Sequence, residues 1–264
     1  MAIDGEDPTL PLPRIMCLHG GGTNSRIFRL QCRGLERALR STFRLVYAEA
    51  PFPAKPGPDV TAVYKDCGPF KAWLRIWPDD PVQDATDVMT EVHDSIMAAK
   101  RHDDARGATG AWVGLLGFSQ GAKLAASIIY SQQLRWQANS DSIWHGYRFA
   151  ILLAGRGPLV WTHPSKTMPR GLVDAAQPTM MPAEKLETVL NSVEHLLRVP
   201  TIHVHGLQDP NIGLHRKLLH RYCDPENATL LEWDGAHRVP IKLKDVNAIV
   251  DHVFSVAQEV GVLR

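Results

Sequence analysis

Ala111-Trp112-Val113-Gly114-Leu115-Leu116-Gly117-Phe118-Ser119-Gln120-Gly121-Ala122-Lys123-Leu124-Ala125-Ala126-Ser127-Ile128-Ile129 reads as a strand, a sharp turn and a helix. Ala111 to Leu116 is an apolar run of strand length, and Ala122 to Ile129 is rich in helix formers. Between them, Gly117-Phe118-Ser119-Gln120-Gly121 has the form G-x-S-x-G. In that context the serine occupies a strained turn that holds its hydroxyl exposed, and the flanking glycines avoid collision with strand and helix. The pattern alone is a weak signal with a real risk of chance occurrence, and its strand–turn–helix setting makes it strong.

The same alternation extends in both directions. Arg14 to Leu18 reads as a strand ending in His19-Gly20-Gly21-Gly22, with Asn24 or Ser25 positioned to cap a helix through Ile27, Phe28, Leu30, Leu35 and Leu39. Phe43 to Ala48, Tyr147 to Leu153, Thr201 to His205 and Ala228 to Trp233 are further strands; Val82 to Arg101, Gly213 to Tyr222 and Lys242 to Val260 are helices. Strands alternating with helices predict an α/β fold, a doubly wound, mainly parallel sheet with helices on both faces. No linker or repeat divides the chain, so residues 1–264 are expected to form one domain.

Two stretches break the alternation. Residues 51–81 hold seven prolines, and residues 155–181 are again irregular. Long structureless stretches in compact domains are commonly functional, so both read as lid-like inserts. Their Phe52, Tyr64, Phe70, Trp73 and Trp77, with Trp161, Met180 and Met181, are expected to supply an apolar acyl pocket.

A serine hydroxyl needs a base, and the base needs an orienting group. In sheets of this kind the partners follow later strands in the order Ser, acid, His. Asp209 follows the strand at 201–205 and His237 follows the strand at 228–233, which assigns them as acid and base to Ser119. His215, His220 and His252 fall within helical patterns, Asp224 reads as a turn residue before Pro225, and Asp234 fits the order less well than Asp209. His203 and His205 share a strand face and invite a metal reading, but no third ligand lies near them in sequence, so no metal is expected. The oxyanion of the attacked carbonyl needs two donors, assigned to the backbone N–H groups of Gln120 and Gly21. Gly20-Gly21-Gly22 also reads as a plain tight turn; it lacks the spacing of a nucleotide-binding loop.

Composition narrows the function further. Lys and Arg number 29 against 28 Asp and Glu, which leaves no basic surplus for nucleic acid. The four cysteines, Cys17, Cys32, Cys67 and Cys223, have neither C-x-x-C nor zinc spacing and read as reduced, mostly buried thiols. The acidic N-terminus lacks a signal-like apolar core, and no apolar run reaches the ~20 residues of a membrane helix, so a cytoplasmic protein without a membrane partner is expected.

Cys17-Leu18-His19-Gly20-Gly21-Gly22-Thr23-Asn24-Ser25-Arg26-Ile27-Phe28, the elbow pentapeptide and Gly235-Ala236-His237-Arg238-Val239-Pro240 together resemble the fungal serine hydrolase family of α/β-hydrolases. Gly57-Pro58-Asp59 and Gly68-Pro69-Phe70 look like its members encoded beside fungal polyketide synthases, hydrolases of the lovastatin and citrinin pathways among them. The resemblance runs from about Arg14 to the final helix and departs at Ala236, where many relatives have glycine. It implies a triad of Ser119, Asp209 and His237, no cofactor, and hydrolysis of a polyketide thioester from an acyl-carrier-protein domain. A carboxylesterase acting on small oxygen esters would use the same machinery. A catalytically idle fold acting as a binding module would not need the complete set.

Overall fold

The computed structural model describes residues 7–138, 146–180 and 196–264. Eight strands follow in chain order: β1 (Arg14–Leu18), β2 (Arg44–Ala48), β3 (Phe52–Pro53), β4 (Lys71–Ala72), β5 (Trp112–Phe118), β6 (Phe149–Leu153), β7 (Thr201–Gly206) and β8 (Ala228–Trp233). Six of them form one sheet, ordered β2-β1-β5-β6-β7-β8, and every neighbouring pair is parallel. The remaining two, β3 and β4, pair antiparallel as a separate ribbon. The chain runs outward from β1 to β2, returns to β5, then proceeds outward the other way. This reversal opens a crevice at the carboxyl ends of β1 and β5, where ligands of open α/β sheets bind.

The helices are α1 (Ser25–Gln31), α2 (Arg33–Leu39), α3 (Pro58–Tyr64), α4 (Ala85–Ala105), α5 (Gln120–Gln137), α6 (Ile212–Tyr222) and α7 (Leu243–Glu259). Alternate strand residues point to opposite faces. Met16, Leu18, Ala150 and Leu152 join a core with Val88 and Ile96 of α4, Leu124 of α5 and Leu218 of α6. Ile15, Cys17, Phe149 and Ile151 join a second core with Phe28 of α1, Leu35 of α2 and Ile249 of α7. Both faces are thus covered, as the apolar strands require, and the architecture is that of an α/β-hydrolase.

Several boundaries differ from the sequence expectation. The single helix expected after β1 is two, α1 and α2, meeting at Cys32; Asn24 caps the first by accepting the Ile27 N–H at 2.9 Å. The helix expected from Val82 starts at Ala85, because the Asp84 carboxylate accepts the N–H groups of Thr86 and Asp87. The insert at 51–81 is not structureless: it holds β3, β4 and α3. Trp73, inside it, is fully buried and donates its indole N–H to the His19 carbonyl at 2.9 Å. The insert at 155–180 is irregular apart from a bridge between Val160 and Val173.

Cys17, Cys32 and Cys223 are buried and Cys67 is half-buried, all as free thiols. Burial pushes the first two well up from the ordinary thiol range and Cys223 to about 12. Among the described residues, no helix is long and apolar enough to cross a membrane.

Candidate active site

Ser119 stands between β5 and α5 with φ 53° and ψ −112°. A non-glycine residue in that region carries roughly 1–3 kcal/mol of backbone strain, which the surrounding turn must hold in place. The two glycines make the turn possible. A Cβ on Gly121 would run into the Leu18 and His19 carbonyls, and one on Gly117 into the Gly121 carbonyl and the Ala122 backbone.

Ser119, Asp209 and His237 leave three different strands at their carboxyl ends and converge. His237 Nε2 lies 3.0 Å from Ser119 Oγ, and its Nδ1 lies 2.6 Å from Asp209 Oδ2. A carboxylate oxygen only accepts, so Nδ1 carries the ring hydrogen and the Nε2 lone pair faces the serine hydroxyl. Asp209 is buried, whereas Ser119 and His237 are half-buried at the cavity. Burial pushes the Asp209 carboxyl up. Hydrogen bonds from His215, His237 and the Asn211 N–H outweigh it and hold the group well below the usual carboxylate range.

His215 is the member that the sequence concealed. Fully buried on α6, it places Nε2 2.8 Å from Asp209 Oδ2 and Nδ1 2.9 Å from the Gly155 carbonyl oxygen. Each ring nitrogen thus faces an oxygen that only accepts. Ligand-type atoms of Asp209, His215 and His237 lie within 4.8 Å of one another, close enough for a metal ion. Each is already engaged with its neighbours by hydrogen bonds, and the other His215 nitrogen is tied to Gly155. His203 and His205 do lie together on β7, with ring centroids 5.9 Å apart, and both are buried. Desolvation pulls them down to about 3 and about 4, so they stay neutral.

Gly21 and Gln120 flank the serine from the ends of β1 and β5. The Gly21 N–H has no hydrogen-bond partner among the described residues, whereas the Gly22 N–H is committed to the Lys71 carbonyl. Gln120 opens α5, where the first N–H groups have no intrahelical acceptor. The Gln120 side chain has a further role. Its Oε1 accepts the Trp73 and Leu74 N–H groups at 2.8 and 3.3 Å, and its Nε2 donates to the Leu74 carbonyl and to Thr179 Oγ1 at 2.8 and 3.1 Å. One amide thereby ties both inserts to the elbow.

A cavity of about 430 Å³ opens onto Ser119 and His237. Of the eight side chains expected to supply it, Trp77 and Met180 line its wall. Trp73 and Trp161 are core residues, at 0% and 7% exposure, and Phe52 packs against the same core. Tyr64 and Phe70 are half-buried away from the cavity, and Met181 lies outside the described residues. An apolar ring in an irregular insert can face the body of the protein as well as the ligand, and composition does not say which. Val60, Ile76 and Phe118 add to the apolar wall, and four cations, Lys55, Lys123, Arg156 and Arg238, also line the cavity. A larger open groove of about 680 Å³, lined by arginines of α1 and α2, lies away from Ser119.

Comparison with known proteins gives a consistent result. The chain is 58% identical to Esterase dbaE of Emericella nidulans, covering 97% of this chain and 95% of the relative. It is 54% identical to Esterase pigG of Monascus ruber, over 98% and 96% of the two chains. It is 50% identical to Probable esterase tazC of Aspergillus terreus, over 98% and 97%. Residues 10–249 match the family described as Serine hydrolase (FSH1), so the chain belongs to that family and is a serine hydrolase.

Proposed function

We propose that this hydrolase cleaves an acyl thioester, a polyketide chain carried on an acyl-carrier-protein domain, with Ser119 as nucleophile, His237 as base and Asp209 as the orienting acid. The observation that carries the chemistry is the unbroken line from Ser119 Oγ to His237 Nε2 and from His237 Nδ1 to Asp209 Oδ2. His237 takes the Ser119 proton as Oγ bonds to the acyl carbon. The oxyanion so formed sits against the Gly21 and Gln120 N–H groups. Its collapse expels the thiolate, which receives the proton from His237 and leaves as thiol. Water then gives a proton to the same imidazole and attacks the acyl-serine, and collapse returns the proton to Ser119 and frees the carboxylic acid.

The cavity volume and its Val60, Ile76, Trp77, Phe118 and Met180 wall suit a mainly apolar acyl group. The carrier arm would enter between the two inserts, both of which line the cavity, and the enzyme would act in the cytoplasm. A second reading rests on a specific observation, the esterase names of the relatives: the same residues hydrolyse a small oxygen ester. Incubation with acyl-loaded carrier protein, followed by intact mass, tests the first. The native chain is expected to release the acyl group and Ser119→Ala to leave it in place. A kcat/KM for simple aryl esters well above that for acyl thioesters would transfer the assignment to the second reading.

A further inference from the structure

Of the four Lys and Arg side chains that line the catalytic cavity, Lys55 and Arg238 are exposed to solvent, whereas Lys123 and Arg156 are buried, and hydrolysis itself uses neither. Lys123 lies in the first turn of α5, four residues after Ser119, and is 3% exposed. Its ammonium makes no hydrogen bond or ion pair with any of the described residues. Arg156 follows β6, two residues beyond Ala154, which has a φ of 50°. It is 7% exposed, and its Nη1 is met by the Met180 thioether sulfur at 2.9 Å, a weak acceptor for a guanidinium. No carboxylate lies within ion-pair distance of either among the described residues.

Two buried cations without a counter-ion are costly, and they also repel one another. Burial and the Arg156 charge pull Lys123 down to about 7, and burial lowers Arg156 from the ordinary arginine range. Asp209 offsets a little of the Arg156 cost, but its lone pairs are occupied by His215, His237 and Asn211. The helix start adds to the imbalance, since the N-terminal end of α5 favours a negative charge and the ammonium form of Lys123 brings a positive one. An anion in the cavity would relieve all of these terms at once.

We propose that Lys123 and Arg156 form an anion-recognition subsite in the acyl pocket, so that the preferred acyl group carries a delocalised oxyanion close to the carbonyl that Ser119 attacks. The inference rests on Ser119 being the nucleophile. A carboxylate or an ionised 1,3-dicarbonyl enol has this chemistry, and either accepts from an ammonium and a guanidinium together. Alternating carbonyls along a polyketide chain make such enols. The apolar wall of Ile76, Trp77 and Met180 would then hold the neutral remainder.

The test compares matched N-acetylcysteamine thioesters. Adipoyl and its ω-methyl ester differ only in a carboxylate; a 5,7-dioxoacyl chain and its 6,6-dimethyl analogue differ in the ability to form a 1,3-dicarbonyl enolate, because C6 is the one carbon that lies between two carbonyls. The native enzyme is expected to favour the anionic member of at least one pair by about tenfold or more in kcat/KM. Which pair shows the preference distinguishes carboxylate from enolate. In Lys123→Met and Arg156→Gln that ratio should fall toward one. Lys123→Met should also raise Tm, because it removes an uncompensated buried charge, whereas a lysine with a purely structural role would lower Tm on removal. Absence of preference in the native enzyme for both pairs, or an unchanged ratio in both variants, overturns the proposal. Fluorophosphonate labelling of each protein separates the two failures: labelled Ser119 without anion preference sinks only this subsite, and unlabelled Ser119 sinks the hydrolytic assignment beneath it.

Discussion

His215 and His237 hold the same carboxylate oxygen, Asp209 Oδ2, at 2.8 and 2.6 Å. The two rings lie nearly parallel, with centroids 5.9 Å apart. Through its second nitrogen His215 also anchors to Gly155, so the acid is fixed from a helix and a loop rather than from its own turn alone. His215 touches no reacting atom and is a positioning residue. His215→Phe should lower kcat on the order of tenfold to a hundredfold while KM stays within about twofold. His215→Gln, which retains an amide donor, should recover part of the loss. Equal changes in kcat and KM, with no rescue by glutamine, would contradict this role.

Gln120 joins the elbow to both inserts through its side chain, independently of its backbone N–H. Gln120→Ala leaves the buried N–H groups of Trp73 and Leu74 and the Leu74 carbonyl without that partner. Unfolding in urea should show a loss of about 3 kcal/mol. A loss under about 1 kcal/mol would mean that the inserts hold themselves in place.

Trp73 and Trp77 are four residues apart and should behave oppositely. Trp73 is fully buried, and Trp73→Ala should cost about 3–5 kcal/mol of stability. Trp77 is 42% exposed at the cavity, and Trp77→Ala should cost less than about 1 kcal/mol but change the ranking of acyl substrates by kcat/KM. A normal Tm for Trp73→Ala would show that its apparent core position does not contribute to the fold.

Stability should fall on acidification before the carboxylates titrate. His203 and His205 are buried neutral, lowered to about 3 and about 4 by desolvation and neighbouring histidines. Below the unfolded value of about 6.5 the unfolded chain takes up protons that the folded chain refuses, so their contribution is full above that pH and is lost toward pH 3 to 4. Each should add up to about 1.4 kcal/mol per pH unit to the slope. Urea unfolding of the native chain and His203→Leu between pH 7 and 4 should give a shallower slope for the variant. Parallel slopes would contradict the assignment.

The parts legible in sequence were those with a steric or topological signature. Gly117 and Gly121 are demanded by a turn that admits no side chain, and strand ends in a parallel sheet bring Asp209 and His237 to Ser119 without long-range guesswork. His215 was hidden because helical spacing places a residue on a buried face without saying what that face meets. Lys123 did carry a signal: it sits in a run from Gln120 to Gln133 that is buried throughout, where a cation without a partner is out of place. Arg156 had only its flanking glycines to mark it. For the aromatics, composition announced burial but not direction, so Trp73 and Trp161 read the same as Trp77.

The central claim is that Ser119 is the nucleophile, and an intact-mass measurement after incubation with a fluorophosphonate tests it most directly. The native chain should gain a single adduct that maps to Ser119, and Ser119→Ala should gain none. An adduct on another residue, or a native chain that stays unmodified, would contradict the account.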